Sequence, residues 1–181
     1  MGSLLDFERP LPRGSRAQQR QSPSLDQAAV DKTFGKLRAD ALRELADYWL
    51  ARRGDAAMPR RADIDPMALG SHHLPRLILA DVLREPLRFH FQLVGEQLEH
   101  QLGGRFTGKT IDISAGAFFK PYQAVATQTR PIREFIRYDF NDGDPAGAFE
   151  RLLLPLSEDG EMVTMVFGEA IYTRLITREG L

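Results

Sequence analysis

The chain of 181 residues is 43% hydrophobic and 27% charged, which is typical of one domain with a substantial core plus an arm or tail. Its net charge of −1 gives no overall attraction to nucleic acid or acidic membranes. The absence of cysteine excludes disulfides, thiolate metal sites and cysteine nucleophiles.

The N-terminal part predicts neither an export signal nor a membrane span. The opening stretch MGSLLDFERPLPRG carries acids and prolines where a secretion signal needs an apolar segment. No apolar run reaches the roughly 18 residues that cross a bilayer. A cytoplasmic location is therefore expected. Residues 1–27 are rich in Ser, Arg, Gln and Pro without periodicity, and are predicted to form a flexible arm.

Residues 28–60 are predicted to form an amphipathic helix and a linker. Apolar residues recur at steps of three or four over residues 30–53, which predicts one continuous helix, and Gly54 ends it after Arg52 and Arg53. A lone helix cannot bury its apolar stripe, so the stripe lies on the chain's own sheet or on a second copy, and the sequence leaves both open. A homodimer through this stripe is the working hypothesis. The stripe consists of Val30, Phe34, Leu37, Ala41, Leu45, Tyr48 and Trp49.

Strand-like runs alternate with short helical segments in the remainder of the chain. Asp65 before Pro66 predicts the start of a short helix. Two apolar runs joined by Arg-Glu-Pro predict a β-hairpin, with Phe89, Phe91 and Leu93 on one face. With three later runs they predict an α+β domain with a five-stranded antiparallel sheet and short helices on one face. The predicted strands cover residues 76–83, 87–95, 131–140, 148–157 and 161–175, with helices near 96–102 and 118–129.

The last two predicted strands are apolar on both faces. In the first of them Leu152 and Leu154 alternate with Phe149 and Leu153. An antiparallel sheet with one wet face alternates with polar residues instead. A second layer therefore covers the outer face, and the N-terminal helix or a partner chain is the expected cover.

The stretch GGRFTGKT, residues 103–110, fits the P-loop pattern G-x-x-x-x-G-K-[ST] at every fixed position. A P-loop lies between a buried parallel strand and a long helix. Here a helical octet precedes the stretch and no clean helix begins at Lys109. We interpret these glycines as helix-ending and turn residues, and keep a nucleotide-binding enzyme only as a remote alternative.

Six fragments of the chain, in their order and spacing, resemble the PAS domain family. The closest resemblance is to a bacterial subgroup in which a single PAS domain makes up almost the whole protein. In that subgroup the P-loop-like glycines are a recurring stretch of the form G-x-x-x-T-G. The resemblance covers residues 61–175 and leaves residues 176–181 as a tail. Its fragments are RADIDP (61–66), LP (74–75), FQLVG (91–95), GGRFTGK (103–109), RPI (130–132) and LLLPLSEDG (152–160).

The resemblance implies a sensor or interaction module with a pocket between the inner sheet face and the short helices. It implies that the N-terminal helix commonly builds a dimer. Haem and flavin occur in the family, although many members bind neither, so the cofactor is unknown and the sequence requires none. Flavin photochemistry of the cysteine-dependent kind is excluded because the chain has no cysteine.

The expected pocket is apolar, with a few polar groups that fix a ligand. Arg105, Tyr122, Tyr138 and Gln92 are the polar candidates. The pocket residues are predicted to be Phe91, Leu93, Arg105, Phe106, Phe118, Phe119, Tyr122, Ile132, Ile136, Leu152, Leu154, Met165 and Phe167.

No titratable cluster in the sequence predicts catalysis or a metal site. His72 and His73 are adjacent, and we expect their side chains to diverge and to serve as capping or surface residues. His100 with Glu96 forms an i,i+4 pair that is interpreted as a solvated helix face. The basic residues Arg52, Arg53, Arg60 and Arg61 are interpreted as a helix end and a solvated linker.

These observations favour a non-catalytic PAS-type sensory or protein-interaction module of bacterial signalling. It is expected to be a homodimer, to pass its output to a separate signalling protein, and to bind neither nucleic acid nor membrane. A ligand-free protein–protein adaptor with a filled core is the alternative.

Overall fold

A computed structural model of the chain describes residues 25–140 and 144–174. The predicted arm up to residue 24 and the predicted C-terminal tail lie outside the described residues. Within them, no helix combines the length and apolarity that a membrane crossing demands.

Residues 27–53 form two helices, where the sequence predicts one. α1 spans Gln27–Phe34 and α2 spans Asp40–Arg53. The single-helix prediction was wrong because a buried carboxylate captures the backbone donors between them. Glu150 accepts from the Arg38 N–H at 3.1 Å and from the Ala39 N–H at 2.9 Å. This contact holds the backbone of the two residues directly before Asp40, where the new helix begins.

The other helices are short. Asp65 accepts from the Met67 N–H and Pro66 occupies the first helical position, so the predicted helix start at residue 66 is confirmed. Further helices are α3 (Pro66–Leu69), α4 (Glu96–Gln101) and α5 (Lys120–Gln128), with 3₁₀ turns at Arg61–Asp63, Leu74–Arg76 and Ile113–Phe118.

The sheet is fully antiparallel and has six strands, in the order β3-β2-β1-β6-β5-β4. The predicted α+β class with helices beside an antiparallel sheet is confirmed. The strand that the sequence did not predict is β3, which pairs with the edge of β2. It has only two residues, too few to show a periodicity in the sequence. The strands are β1 (Leu77–Leu83), β2 (Arg88–Val94), β3 (Thr110–Ile111), β4 (Ile132–Phe140), β5 (Asp144–Leu156) and β6 (Met165–Arg174).

A β-bulge in β2 shifts the side-chain alternation of that strand. Leu79 pairs with Leu93 and Ala80 pairs with Phe91, so Gln92 is an extra residue in the ladder. Val94 takes the inward position that the sequence predicts for Leu93, which is 36% exposed. The prediction that Leu93 shares a face with Phe91 was wrong for this reason.

α2 covers the outer face of the sheet in the same chain. Leu42, Leu45 and Ala46 are buried on its inner side, and the Trp49 Nε1–H donates to the Pro155 carbonyl at 3.0 Å. This packing explains why β5 and β6 are apolar on both faces. Most of the stripe predicted to build a dimer is therefore used within the chain. Its residues Val30, Leu37, Leu45 and Trp49 are each at most 5% exposed, and Phe34, Ala41 and Tyr48 are partly buried.

A glycine is required where the second hairpin strand ends. A Cβ on Gly95 would lie 2.2 Å from the carbonyl carbon of Pro75, a distance that no side chain tolerates. The fragments LP and FQLVG are therefore in direct backbone contact. α4 begins immediately after this contact, at Glu96.

The packing of α2 predicts a stability effect at Trp49. Substitution Trp49→Ala removes a fully buried indole and its hydrogen bond, so the free energy of unfolding should fall by about 3–5 kcal/mol in urea denaturation. Ile113→Ala is the control, since Ile113 is 78% exposed and its truncation should change the free energy by less than about 0.5 kcal/mol.

If α2 packed against a second copy instead, the Trp49→Ala substitution would dissociate the oligomer that the wild type forms and would leave the free energy of unfolding unchanged. That result would contradict packing of α2 within one chain.

Candidate functional site

An aromatic cluster fills the space between the inner sheet face and the short helices. Phe91 on β2 lies edge-on to Phe106 and Tyr122, with ring centroids 6.2 and 5.4 Å away. Phe118 contacts Phe106 and Tyr122 at 5.8 and 5.7 Å. Phe89 continues the cluster at 5.5 Å from Tyr122. Such tilted and edge-to-face pairs are the arrangements that aromatic rings prefer.

A buried guanidinium packs against this cluster. The side chain of Arg151 on β5 is 4% exposed, and its guanidinium carbon lies 5.3 Å from the Phe118 ring and 5.0 Å from the Tyr122 ring. Its Nε–H donates to Glu134 at 2.9 Å, and its Nη1–H donates to the Tyr122 hydroxyl at 3.3 Å. Burial raises the pKa of Tyr122, so the phenol stays neutral beside this cation.

The space left between these side chains is small. The cavity measures about 20 Å³, roughly the room for one water molecule. Its walls are Ile78, Phe91, Val94, Leu98, Leu102, Phe106, Phe118, Tyr122, Phe149, Ala170 and Tyr172.

Four of the thirteen predicted pocket residues, Phe91, Phe106, Phe118 and Tyr122, line this cavity. Phe119 is buried beside the cavity, and its ring centroid lies 5.4 Å from that of Phe89. The sequence alone did not single out Arg151 or Glu134. The sequence signal that could have found them is a pair of opposite charges at facing positions of two neighbouring predicted strands.

Four predicted pocket residues lie on the other face of the sheet. Leu154 pairs with Phe167, and the register places both on the side of Glu150, which contacts the start of α2. Leu152, Leu154, Met165 and Phe167 are therefore core residues beneath α2, and their assignment to the pocket was wrong. Because both faces of these strands are apolar, the sequence does not indicate which face packs against α2 and which packs against the short helices.

The remaining predicted pocket residues do not line the cavity. Arg105 is exposed, Ile136 is 52% exposed, and Leu93 is turned outward by the bulge. Ile132 lines a groove on the far side of α5. Gln92 is exposed and donates to the Asp81 carboxylate, and the side chain of Tyr138 lies outside the described residues.

The glycine-rich stretch forms a turn that Glu99 organises. The Glu99 carboxylate accepts from the Phe106 N–H at 2.9 Å and from the Thr107 N–H at 2.7 Å. The Thr107 hydroxyl accepts from the Val94 N–H at 3.0 Å. Hydrogen bonds from Thr107 lower the pKa of Glu99, which favours its charged form. This turn positions Phe106 over the cavity.

The same stretch does not have the architecture of a P-loop. Gly103 follows α4, and Thr110 belongs to the two-residue β3, which pairs with His90 and Phe89. The Lys109 ammonium lies 4.9 Å from the Phe106 ring. No helix begins at Lys109, so its backbone amides do not form the phosphate cradle of a P-loop.

This arrangement of sheet, short helices and glycine turn agrees with a comparison against known families. A family profile described as a PAS domain matches residues 37–171, about three quarters of the chain. The chain belongs to the PAS domain family. No curated protein matches it. The match begins before residue 61 and includes α2, which covers the outer face of the sheet.

PAS domains are sensory and interaction modules, and this PAS domain has a second concave feature besides the core cavity. A groove of about 590 Å³ lies between α1, the end of α5 and the start of β4. Four cationic side chains, Lys32, Lys36, Arg130 and Arg133, line it. The Arg133 Nε–H donates to Glu150 at 2.7 Å, while its Nη2 atom is buried and has no hydrogen-bond partner among the described residues. We refer to this feature as the basic groove.

Adjacent histidines of this PAS domain converge on one carboxylate. The rings of His72 and His73 are 4.1 Å apart, and each Nε2 lies 3.1 Å from the same oxygen of Glu44 on α2. The expectation that these side chains diverge was wrong, because the two residues belong to a tight turn rather than an extended segment. His73 is fully buried and is not a surface residue.

The buried guanidinium predicts a coupled effect on stability. Glu134→Ala should leave the Arg151 charge buried without its carboxylate and lower the free energy of unfolding by about 3 kcal/mol. Adding Arg151→Met should recover most of that loss, because an apolar side chain of similar length replaces the unpaired charge.

Urea denaturation of the single and double variants measures both effects. Equal stabilities of Glu134→Ala and Glu134→Ala/Arg151→Met would show that the pair is not coupled, which contradicts this account.

Proposed function

We propose that this PAS domain is a non-catalytic protein-interaction module of bacterial signalling, with a core filled by its own side chains. Its output passes to a separate protein through the basic groove. The observation that carries the proposal is the contrast between the two concave features. The core cavity holds about 20 Å³, whereas the cationic groove holds about 590 Å³.

The filled core argues against a resident cofactor. Pockets for cofactor-sized and drug-sized ligands measure about 300–1,000 Å³, far more than the space that the core side chains leave between them. The guanidinium of Arg151 is also held by Glu134 and by the Tyr122 hydroxyl. Displacing it would break both contacts and leave a buried charge, which is costly. The ligand-free adaptor is therefore the function that this geometry favours.

The charge of the basic groove indicates an acidic partner. Lys32 on α1 and Lys36 just after it are exposed, and Arg130 lines the same groove from the end of α5. The carboxylate that accepts from Arg133, Glu150, is buried and already accepts from two backbone N–H groups as well. An acidic segment of a partner would supply the missing negative charge and would be attracted at long range.

Native mass spectrometry of the purified protein tests the filled core. The spectrum should show the bare chain mass, as a monomer or as a homodimer, with no bound small molecule. A bound organic molecule of cofactor size would contradict the proposal and would establish a ligand sensor instead.

Binding of an oligoglutamate peptide at low salt tests the groove. The wild type should bind it, and a Lys32→Glu/Lys36→Glu variant should bind at least about tenfold more weakly, since two attractive charges become repulsive. Lys120→Glu changes an equally exposed lysine at the opposite end of α5 and should behave like the wild type. Equal binding by all three proteins would overturn the assignment of the groove.

A further inference from the structure

Three ligand-type side chains meet at the junction between α2 and the start of β1. Glu44 comes from α2, and His72 and His73 come from the turn that precedes the 3₁₀ segment Leu74–Arg76. One ligand atom from each of the three lies within 4.8 Å of the other two. Each His Nε2 lies 3.1 Å from the shared Glu44 oxygen. Ligand atoms on a tetrahedral zinc ion are about 3.3 Å apart, as bonds of about 2.0–2.1 Å require.

The buried side of the cluster fixes which nitrogen of His73 faces Glu44. The Nδ1 of His73 lies 2.7 Å from a carboxylate oxygen of Glu169, and both side chains are fully buried. Arg76 donates to the other oxygen of Glu169 at 2.8 Å. A carboxylate accepts hydrogen bonds, so the Nδ1 atom of His73 donates to Glu169, and Nε2 is the ring nitrogen that a metal ion can bind. A carboxylate behind a ligating histidine is the usual second shell of a metal site.

The ligand atoms of the cluster are spaced as one ion would require. The His73 Nε2 lies 3.1 Å from the Glu44 oxygen, and the His72 Nε2 approaches the same oxygen at the same distance. These separations are close to those between two ligand atoms on one zinc ion. One divalent ion can bind all three atoms, and the ligand set of two imidazoles and one carboxylate is one that zinc accepts.

The turn geometry that brings the two rings together depends on Gly70. This residue has φ +118°, and a Cβ there would lie 3.1 Å from two atoms of the His72 ring. The His73 N–H donates to the Gly70 carbonyl at 3.1 Å, which closes the turn. The backbone of this turn therefore places the His72 ring beside the His73 ring, and Glu44 meets both rings from α2.

We propose that Glu44, His72 and His73 form a binding site for a divalent cation of the zinc class. His72 and Glu44 are 60% and 56% exposed at their side chains, so the ion enters from solvent and its fourth ligand position faces water. The ion ties α2 to the segment that leads into β1. This inference goes beyond the proposed interaction function and does not depend on the core cavity or on the basic groove.

Equilibrium dialysis of the untagged protein against Zn²⁺, followed by metal analysis, tests the site. The wild type should retain one ion per chain, and Co²⁺ in its place should give the visible absorption of a tetrahedral nitrogen–oxygen site. Glu44→Gln and His72→Ala should each weaken binding at least about tenfold, as loss of a ligand does. Both side chains are exposed, so both variants should fold. Zn²⁺ should raise the melting temperature of the wild type and not that of the variants.

His100→Ala is the matched control, because it removes an exposed histidine from α4 and should leave binding unchanged. Two results would overturn the proposal. One is a wild type that retains no more Zn²⁺ than the Glu44→Gln/His72→Ala double variant. The other is a His100→Ala variant that loses the ion as well.

Discussion

Two neighbouring residues of β5 hold the helical layers on the two faces of the sheet. Successive side chains of a strand point to opposite faces, so Glu150 and Arg151 reach different layers. Glu150 accepts from the backbone N–H groups of Arg38 and Ala39, directly before α2. Arg151 donates to Tyr122 on α5 from the other face. A sheet that is apolar on both sides needs both covers, and β5 supplies the polar anchor for each.

The charged anchors also lie beside the two concave features of the domain. On the inner face, where Arg151 contacts Phe118 and Tyr122, aromatic rings leave a cavity of about 20 Å³. The partner of Glu150 on β4, Arg133, lines the basic groove. The groove and the filled core are thus connected through adjacent positions of one strand.

The sequence predicted the class of the fold, the turn chemistry and the family, because periodicity, capping residues and glycines are local signals. The sequence-based prediction failed where the structure depends on contacts between residues that are far apart in the chain. The break between α1 and α2 depends on Glu150, more than one hundred residues away. The convergence of His72 and His73 depends on Glu44 and on the turn at Gly70. The bulge at Gln92 places Leu93 on the outer face of the sheet. Both faces of β5 are apolar, so the sequence did not indicate which face lines the cavity.

Hydrogen-exchange mass spectrometry of a Glu150→Ala variant tests the role of β5 most directly. Exchange should accelerate over residues 38–53, where the carboxylate holds the backbone before α2, and should stay unchanged over residues 118–128 on the opposite face. Unchanged exchange over α2, or equal acceleration on both faces, would contradict the claim that β5 anchors each layer separately.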